Sequence, residues 1–402
     1  MIFLDIETNT NFDTIWCCVT KKGDEVKVWT QASGLKEYLG TSKLVMHNGI
    51  SFDAYLLNRL WGMKIRTAQV LDTLVLSRLL NPNREGGHSL GAFGTRLGLE
   101  KIDFSDYDSG LSEEMVEYCI RDVNLLERVY YELEREKSVY GFGERAVEIE
   151  HEVAAIVCKQ ERRGFKLDLP KCMGLVAEFS DRMREIEHQL QGIFQPITTE
   201  RFSEKTGKRL KDHVEVFNPG SRQQIAKRLQ ALGWKPTKMT EKGSVIVDED
   251  TLSGVDLPEA KLVAEDLMLQ KRYAQVKSWI DAVQEDGRVR GKVITNGAVT
   301  GRMTHHSPNM AQIPSSSSPY GHECRACWTV DDGYRLVGAD ASGLELRMLA
   351  HYMKDQDYVK EVCEGDIHTK NQNAAGLAER SQAKTFISVS YTHLTLPTKR
   401  IV

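Results

Sequence analysis

Short β-branched apolar runs alternate with stretches of helical period through the first third of the chain, and that alternation predicts an α/β unit. The segments MIFLDI (1–6), TIWCCVT (14–20), EVKVWT (25–30) and KLVMHN (43–48) read as strands. LDTLVLSRLL (71–80) and HSLGAFGTRLG (88–98) repeat apolar positions at helical spacing, the first with Asp72 and Thr73 placed to cap it. EEMVEYCIRDVNLLERVYYELEREK (113–137) predicts one long amphipathic helix that ends near Tyr140 and Gly141. From about Val147 to Trp279 the pattern becomes mostly helical with charged faces, interrupted by a polar stretch at 195–217. Ser221 followed by Gln224 predicts a capping box at a helix start. After Arg290 the chain turns to loops and strands, and RLVGADASGLELR (335–347) predicts a buried strand, a small-residue turn and a helix beginning near Leu344.

At 402 residues the chain is too long for one core, so two or three domains are expected. No apolar run approaches the roughly 20 residues a membrane span needs. The acidic MIFLDIETN start has no basic region of the kind a secretory leader carries, so a cytoplasmic location is expected. Eight irregularly spaced cysteines fit reduced thiols better than a disulfide framework. The net charge of −4 does not exclude DNA as a partner, because bound divalent cations invert the local charge of a carboxylate site. Basic residues gather in RFSEKTGKRLKDH (201–213) and SRQQIAKRL (221–229), although such runs are more often solvated surface.

Four acids and a tyrosine carry the clearest chemistry. Asp5 and Glu7 stand two apart on a strand, hence on one sheet face. Tyr118 and Asp122 stand four apart on a helix, hence on one side of it. Asn48 and Asp53 sit where a strand gives way to a helix. Singly, each has an ordinary reading: an acidic turn, a solvated helix residue, a packed tyrosine. Together they gather like charges that repel unless cations occupy the spot, and oxygen ligands suit Mg²⁺ or Mn²⁺. Two such ions can activate water and steady the leaving oxygen of a phosphodiester. Tyr118 is placed to orient the water.

These segments resemble the three motifs of DEDD-type 3′→5′ exonucleases, in the tyrosine-containing subclass that proofreads for DNA polymerases. The resemblance implies a ribonuclease H-like fold with Asp5, Glu7, Asp53 and Asp122 as metal ligands and Asn48 at the DNA. Further along, NGAVTGRMTHHSPNMAQIP (296–314), ECRACW (323–328), GADASGLELRMLAHYM (338–353) and GDIHTKN (365–371) resemble family A DNA polymerases, most of all the compact replicases of phages. This likeness runs to about Ile387.

By that resemblance Asp340 is one of two catalytic polymerase carboxylates, with the carbonyl of Ala341 beside it as a metal ligand. Glu345 helps exclude a ribose 2′-hydroxyl, while His368, Arg380 and Lys384 grip the triphosphate of a dNTP bound with Mg²⁺. Arg302, Asn309, Gln312 and Arg325 line the primer–template minor groove, whose acceptors are nearly sequence-independent. Taken alone, an Arg/Lys pair four apart is usually a solvated face, and a lone Asp at a strand end is usually a turn residue. Cys324-x-x-Cys327 near His322 invites a zinc reading, but no second pair follows at ligand spacing, and the segment matches the family's CRAxF strand.

The expected architecture is therefore α/β: an exonuclease domain over 1–145, a polymerase start and helical thumb over 146–290, and a partial α+β palm with the start of the fingers over 291–387. Residues 388–402 carry threonines and a proline where helix formers should be and are expected to be non-native. The motif supplying the second polymerase carboxylate is absent, so the chain is expected to hydrolyse 3′ ends without polymerising. The short 195–217 segment leads us to expect no thioredoxin-type clamp, and no membrane partner is expected. The alternatives are an inactive primer–template-binding fragment and a free-standing 3′→5′ exonuclease.

Overall fold

β1 (Ile2–Thr8) is the central strand of a five-stranded sheet in the computed structural model, which describes residues 1–203, 205–240, 242–379 and 382–383. Its antiparallel neighbour is β2 (Ile15–Lys22), which pairs in turn with β3 (Glu25–Trp29). On the other side β4 (Leu44–Met46) and β5 (Val70–Asp72) run parallel, giving the order β3-β2-β1-β4-β5. The helices of this part are α1 (Leu35–Leu39), α2 (Asp53–Leu60), α3 (Thr73–Leu80), α4 (Leu90–Leu97) and α5 (Glu113–Tyr140).

Because strand side chains alternate, β1 sends Ile2, Leu4 and Ile6 into one core and Phe3 into another. The Phe3 face is covered by α5, whose Cys119, Val123, Leu126 and Tyr130 recur at helical spacing, and the Phe3 and Tyr130 rings meet at 5.6 Å. This packing fixes the helix along the strand. Asp72 caps α3 by accepting from the backbone N–H of Leu74 and Val75, Ser112 caps α5, and Gly141 ends α5 in a left-handed conformation.

The chain continues through α6 (Glu144–Arg163), β6 (Phe165–Leu167), α7 (Leu169–Ile193), a hairpin of β7 (Ile197–Phe202) and β8 (Arg209–Glu215), α8 (Arg222–Ala231), α9 (Glu249–Ser253) and α10 (Pro258–Ala282). The polar stretch that interrupts the helices is thus a two-stranded ribbon rather than a plain loop. α7 and α10 pack side by side around Phe179, Ile186, Leu190, Leu269 and Trp279. β9 (Arg288–Val289), β10 (Lys292–Ile294), β11 (Thr304–His306), α11 (Gly321–Ala326) and β12 (Trp328–Thr329) complete a compact unit spanning Met1–Tyr334. The second unit begins at Arg335 and contains α12 (Leu344–Met353), α13 (Gln356–Glu364) and α14 (Ile367–Ala374), with a small core of Leu346, Ala350, Val362 and Ile367.

Three sequence expectations change here. Ser221 does accept from the Gln224 N–H, but the Gln224 side chain accepts from the N–H of Asn218 instead of returning to Ser221, so the box is half formed. ECRACW is not a strand: residues 321–326 are helical, and only Trp328–Thr329 pair as strand. Cys324 and Cys327, three apart, thereby turn the same way into the core beside Cys172, a burial that a strand's alternation would not allow. Residues 335–341 form no strand and lie exposed, with Val337 at 86% exposure. An apolar run becomes a buried strand only between sheet neighbours, and among the described residues none pairs with it.

Candidate metal centre

Glu7 and Asp5 project toward α5 because they share the Phe3 face of β1. Opposite them, α5 presents Tyr118, Cys119 and Asp122, one turn beyond the packed Val123–Leu126 region. Donor atoms of Asp5, Glu7 and Cys119 lie within 4.8 Å of one another, the only such group of three among the described residues. The Cys119 thiol donates to Oδ2 of Asp5 across 3.6 Å.

Asp53 enters from the first turn of α2. β4 pairs with β1 only at Ile2 and Phe3, so the Ile6 N–H lies past its end, and Oδ1 of Asp53 accepts that hydrogen at 3.2 Å. Asn48 holds a left-handed turn between β4 and α2, a conformation its short amide side chain tolerates. Its side chain is exposed and accepts from Ser51 at 2.6 Å.

Burial and mutual repulsion act together on these acids. Burial, then the neighbouring Asp122, raises Asp5 to about 7. Burial, then Asp5 and Asp122, raises Glu7 to about 10. Asp53 is likewise pushed well up, by burial first and Asp5 second. Asp122 is raised by burial and held back by one cation, Lys101. One of its oxygens, Oδ1, is buried with no hydrogen-bond partner.

Lys101 is the residue that sequence reading missed. Its ammonium lies 2.5 Å from Oδ2 of Asp122 and 2.7 Å from the Tyr118 hydroxyl. The loop carrying it is tied down at several points. Trp16 donates to the Tyr107 carbonyl at 2.8 Å, Thr10 donates from N and Oγ1 to Asp108 at 3.0 Å each, and Arg121 donates to the Glu100 carbonyl at 3.0 Å. Nothing in the spacing of LEKIDF marks Lys101, since its placement depends on the β1–β2 turn far away in sequence. Tyr118 stacks near Phe104 at 5.5 Å, and its hydroxyl pKa is raised by burial, so it stays protonated at neutral pH.

The polymerase-type residues are not gathered in this way. Asp340, Ala341 and Glu345 are exposed, Glu345 in the first turn of α12. Arg302 and Gln312 are exposed in the first unit; Asn309 caps a 3₁₀ turn through Ala311, and Arg325 donates to the Pro314 carbonyl at 2.7 Å. His368 falls within α14, its side chain outside the described positions, while Arg380 and Lys384 lie outside the described residues. Among the described residues, Cys324, Cys327 and His322 form no close group of three metal donors.

Comparison with known proteins places these observations. The family model for DNA polymerase family A matches residues 185–387. The DNA-directed DNA polymerases of Escherichia phage T7 and Enterobacteria phage T3 are each 36% identical over an alignment covering 86% of this chain and 67% of theirs. DNA polymerase I of Treponema pallidum is 26% identical over 82% of this chain and 32% of its own length. The fold is similar, at a TM-score of 0.73 and 18% identity, to the POL domain of Pol1 from M. smegmatis solved in complex with DNA primer-template and dNTP; the match covers 97% of this chain and 67% of that one.

Proposed function

The chain belongs to DNA polymerase family A, and from that premise we propose that its first 145 residues form a ribonuclease H-like 3′→5′ proofreading exonuclease acting on single-stranded 3′ ends. The observation that supports this is that Asp5 and Glu7 bring carboxylate oxygens within 4.8 Å of each other, with the charge of Asp122 acting on both and Asp53 interacting with Asp5. Family membership implies dependence on divalent cations, and the donors fit: all four acids offer oxygen, two hold their protons to about 7 and about 10 because burial and then neighbouring acids disfavour their charged forms, and a buried oxygen of Asp122 lacks a partner. Asp5, Glu7, Asp53 and Asp122 would hold two Mg²⁺ or Mn²⁺ ions, which supply Lewis acidity for phosphodiester hydrolysis when bound.

The chain's own groups do the positioning. Lys101 holds the Tyr118 hydroxyl and the Asp122 carboxylate in one place. Tyr118, protonated at working pH, serves as a hydrogen-bonding partner that orients the attacking water and not as a base. Asp53, fixed by the Ile6 N–H, sets the opposite wall. Asn48, exposed at the strand-to-helix turn, is placed to meet the DNA strand.

For polymerisation we propose the roles that the relatives' activity implies: Asp340 and Ala341 toward a Mg²⁺–dNTP complex, Glu345, His368, Arg380 and Lys384 toward the nucleotide, and Arg302, Asn309, Gln312 and Arg325 toward primer-template DNA. Among the described residues no group of three metal donors includes Asp340. This chain by itself is expected to trim 3′ ends. No described helix is long and apolar enough to cross a membrane.

The test is a 5′-labelled single-stranded oligonucleotide incubated with Mg²⁺, beside a variant with Asp5→Ala and Glu7→Ala. A ladder shortening from the 3′ end with wild type alone supports the reading. Soluble, folded wild type that gives no ladder leaves a DNA-binding fragment.

A further inference from the structure

The loop between β4 and α2, residues 47–52, carries Asn48 and leads into Asp53, and groups from other elements hold it on two sides. We propose that Arg162 of α6 is a positioning residue of the exonuclease centre: its guanidinium sets this loop, and through it the hold of Asn48 on a single-stranded 3′ end. The inference rests on the reading above in taking Asn48 as a residue that meets DNA. It carries the exonuclease unit through the whole of α6 (Glu144–Arg163).

The loop has a demanding shape. Asn48 is left-handed at φ 66°, and the chain passes Met46 so closely at Gly49 that a Cβ there would lie 2.2 Å from the Met46 side chain. Such a backbone keeps one conformation only when its polar groups have fixed partners. Asp72 takes the N–H side: its buried carboxylate accepts from the backbone of Asn48 at 2.9 Å and of Ile50 at 3.0 Å. Arg162 takes the carbonyl side, donating from Nη2 to Ser51 at 3.0 Å and to Ile50 at 3.5 Å. Its guanidinium also lies over the Tyr55 ring, 3.5 Å from the centroid, so one group spans the loop and α2. A planar guanidinium can do both, whereas the compact ammonium of lysine supplies charge and donors without the stacking plane. Both clamps lead back to α6, because the Asp72 N–H donates to Nε2 of His151 at 2.7 Å and Nδ1 of that buried ring donates to the Val147 carbonyl at 2.7 Å. The C-terminal end of α6 is anchored in turn by Nε of Arg290, which donates to the Arg162 carbonyl at 2.8 Å. Asp53 has a separate tether in the Ile6 N–H. Loss of the Arg162 side chain therefore loosens the loop that carries Asn48 and leaves the acids in place.

The experiment compares wild type, Arg162→Met, Arg162→Lys, Asn48→Ala and the double variant of Asn48→Ala with Arg162→Met, all as the full chain. Binding of 5′-fluorescein tetrathymidylate is read by anisotropy with Ca²⁺, and backbone hydrogen exchange is followed in parallel. Arg162→Met is expected to weaken binding about five- to tenfold, Arg162→Lys to recover part of that loss, and the double variant to bind no worse than Asn48→Ala alone. Exchange should quicken over residues 47–54 and stay unchanged in β1 and α5. In trimming assays with Mg²⁺, KM should rise by the same factor while kcat changes less than about twofold. Unchanged binding, an equal further loss on top of Asn48→Ala, or exchange that quickens equally in β1 and α5 overturns the inference. Wild type whose binding depends on Arg162 in this way but that trims nothing overturns only the exonuclease reading. Wild type that trims with a KM indifferent to Arg162 overturns only the positioning role.

Discussion

Asp5 and Asp340 begin from similar sequence logic, an acid at or near the end of an apolar strand, and end in opposite surroundings. β1 is paired on both sides and covered by α5, so half-buried Asp5 and buried Glu7 are carried to the face where buried Asp122 acts on both. The segment before Asp340 has no strand neighbour among the described residues, and Leu336 and Val337 stand 65% and 86% exposed. An acid becomes a metal site through the elements that converge on it, and its own motif supplies only the first of them. The cost of that convergence is also visible. Crowding acids out of water works against the fold until positive charge arrives, and Lys101 meets only part of that need.

The contrast breaks most decisively through activity. Replacing Asp5 and Glu7 by alanine is expected to lower 3′ trimming by on the order of 10³-fold or more, whereas Asp340→Ala leaves it unchanged in the same gel assay. Lys101→Met is expected to cost about 10- to 100-fold, because Tyr118 and Asp122 lose their shared anchor, while Lys101→Arg restores part of it.

Stability should report the crowding directly. Asp5 and Glu7 have folded pKa values of about 7 and about 10, above their ordinary 3.8 and 4.5. The folded state thus binds more protons than the unfolded one between those limits. Stability from these groups is full below the unfolded values and declines as pH rises through the folded ones. Metal-free protein should therefore melt lower near pH 8 than near pH 6. Added Mn²⁺ should raise Tm by more at the higher pH, and Asp5→Asn should flatten both trends in differential scanning calorimetry. The smallest effect belongs to the outer tether: Asp108→Ala removes the Thr10 contacts to the Lys101 loop, which are exposed, and should slow trimming less than about tenfold.

Much of this was legible in the residues. The two-residue spacing in LDIET placed both acids on one face, and the four-residue spacing of Tyr118 and Asp122 placed them on one side of a helix that runs as expected to Tyr140. Asp72 before Thr73 marked the α3 cap. The three-residue strand β5 was missed, since so short a run is set by its neighbours β4 and α3 more than by its own pattern. Lys101 was missed because loop tethering, not periodicity, brings it to Asp122. ECRACW was expected to be a strand from family likeness; the burial of both cysteines, three apart, on one side of a helical turn is visible only in the structure. Nothing in the helical pattern of α5 singles out Cys119, and only the approach of β1 shows its sulfur beside an acid.

The central proposal is that Asp5 and Glu7 form a cation site that does not depend on Asp340. Mn²⁺ titration followed by loss of the free-ion electron paramagnetic resonance signal tests it without DNA or turnover. Wild type and Asp340→Ala are expected to take up Mn²⁺ alike, and the variant with Asp5→Ala and Glu7→Ala to take up little. Uptake that survives the loss of Asp5 and Glu7, or that disappears with Asp340, would contradict the account.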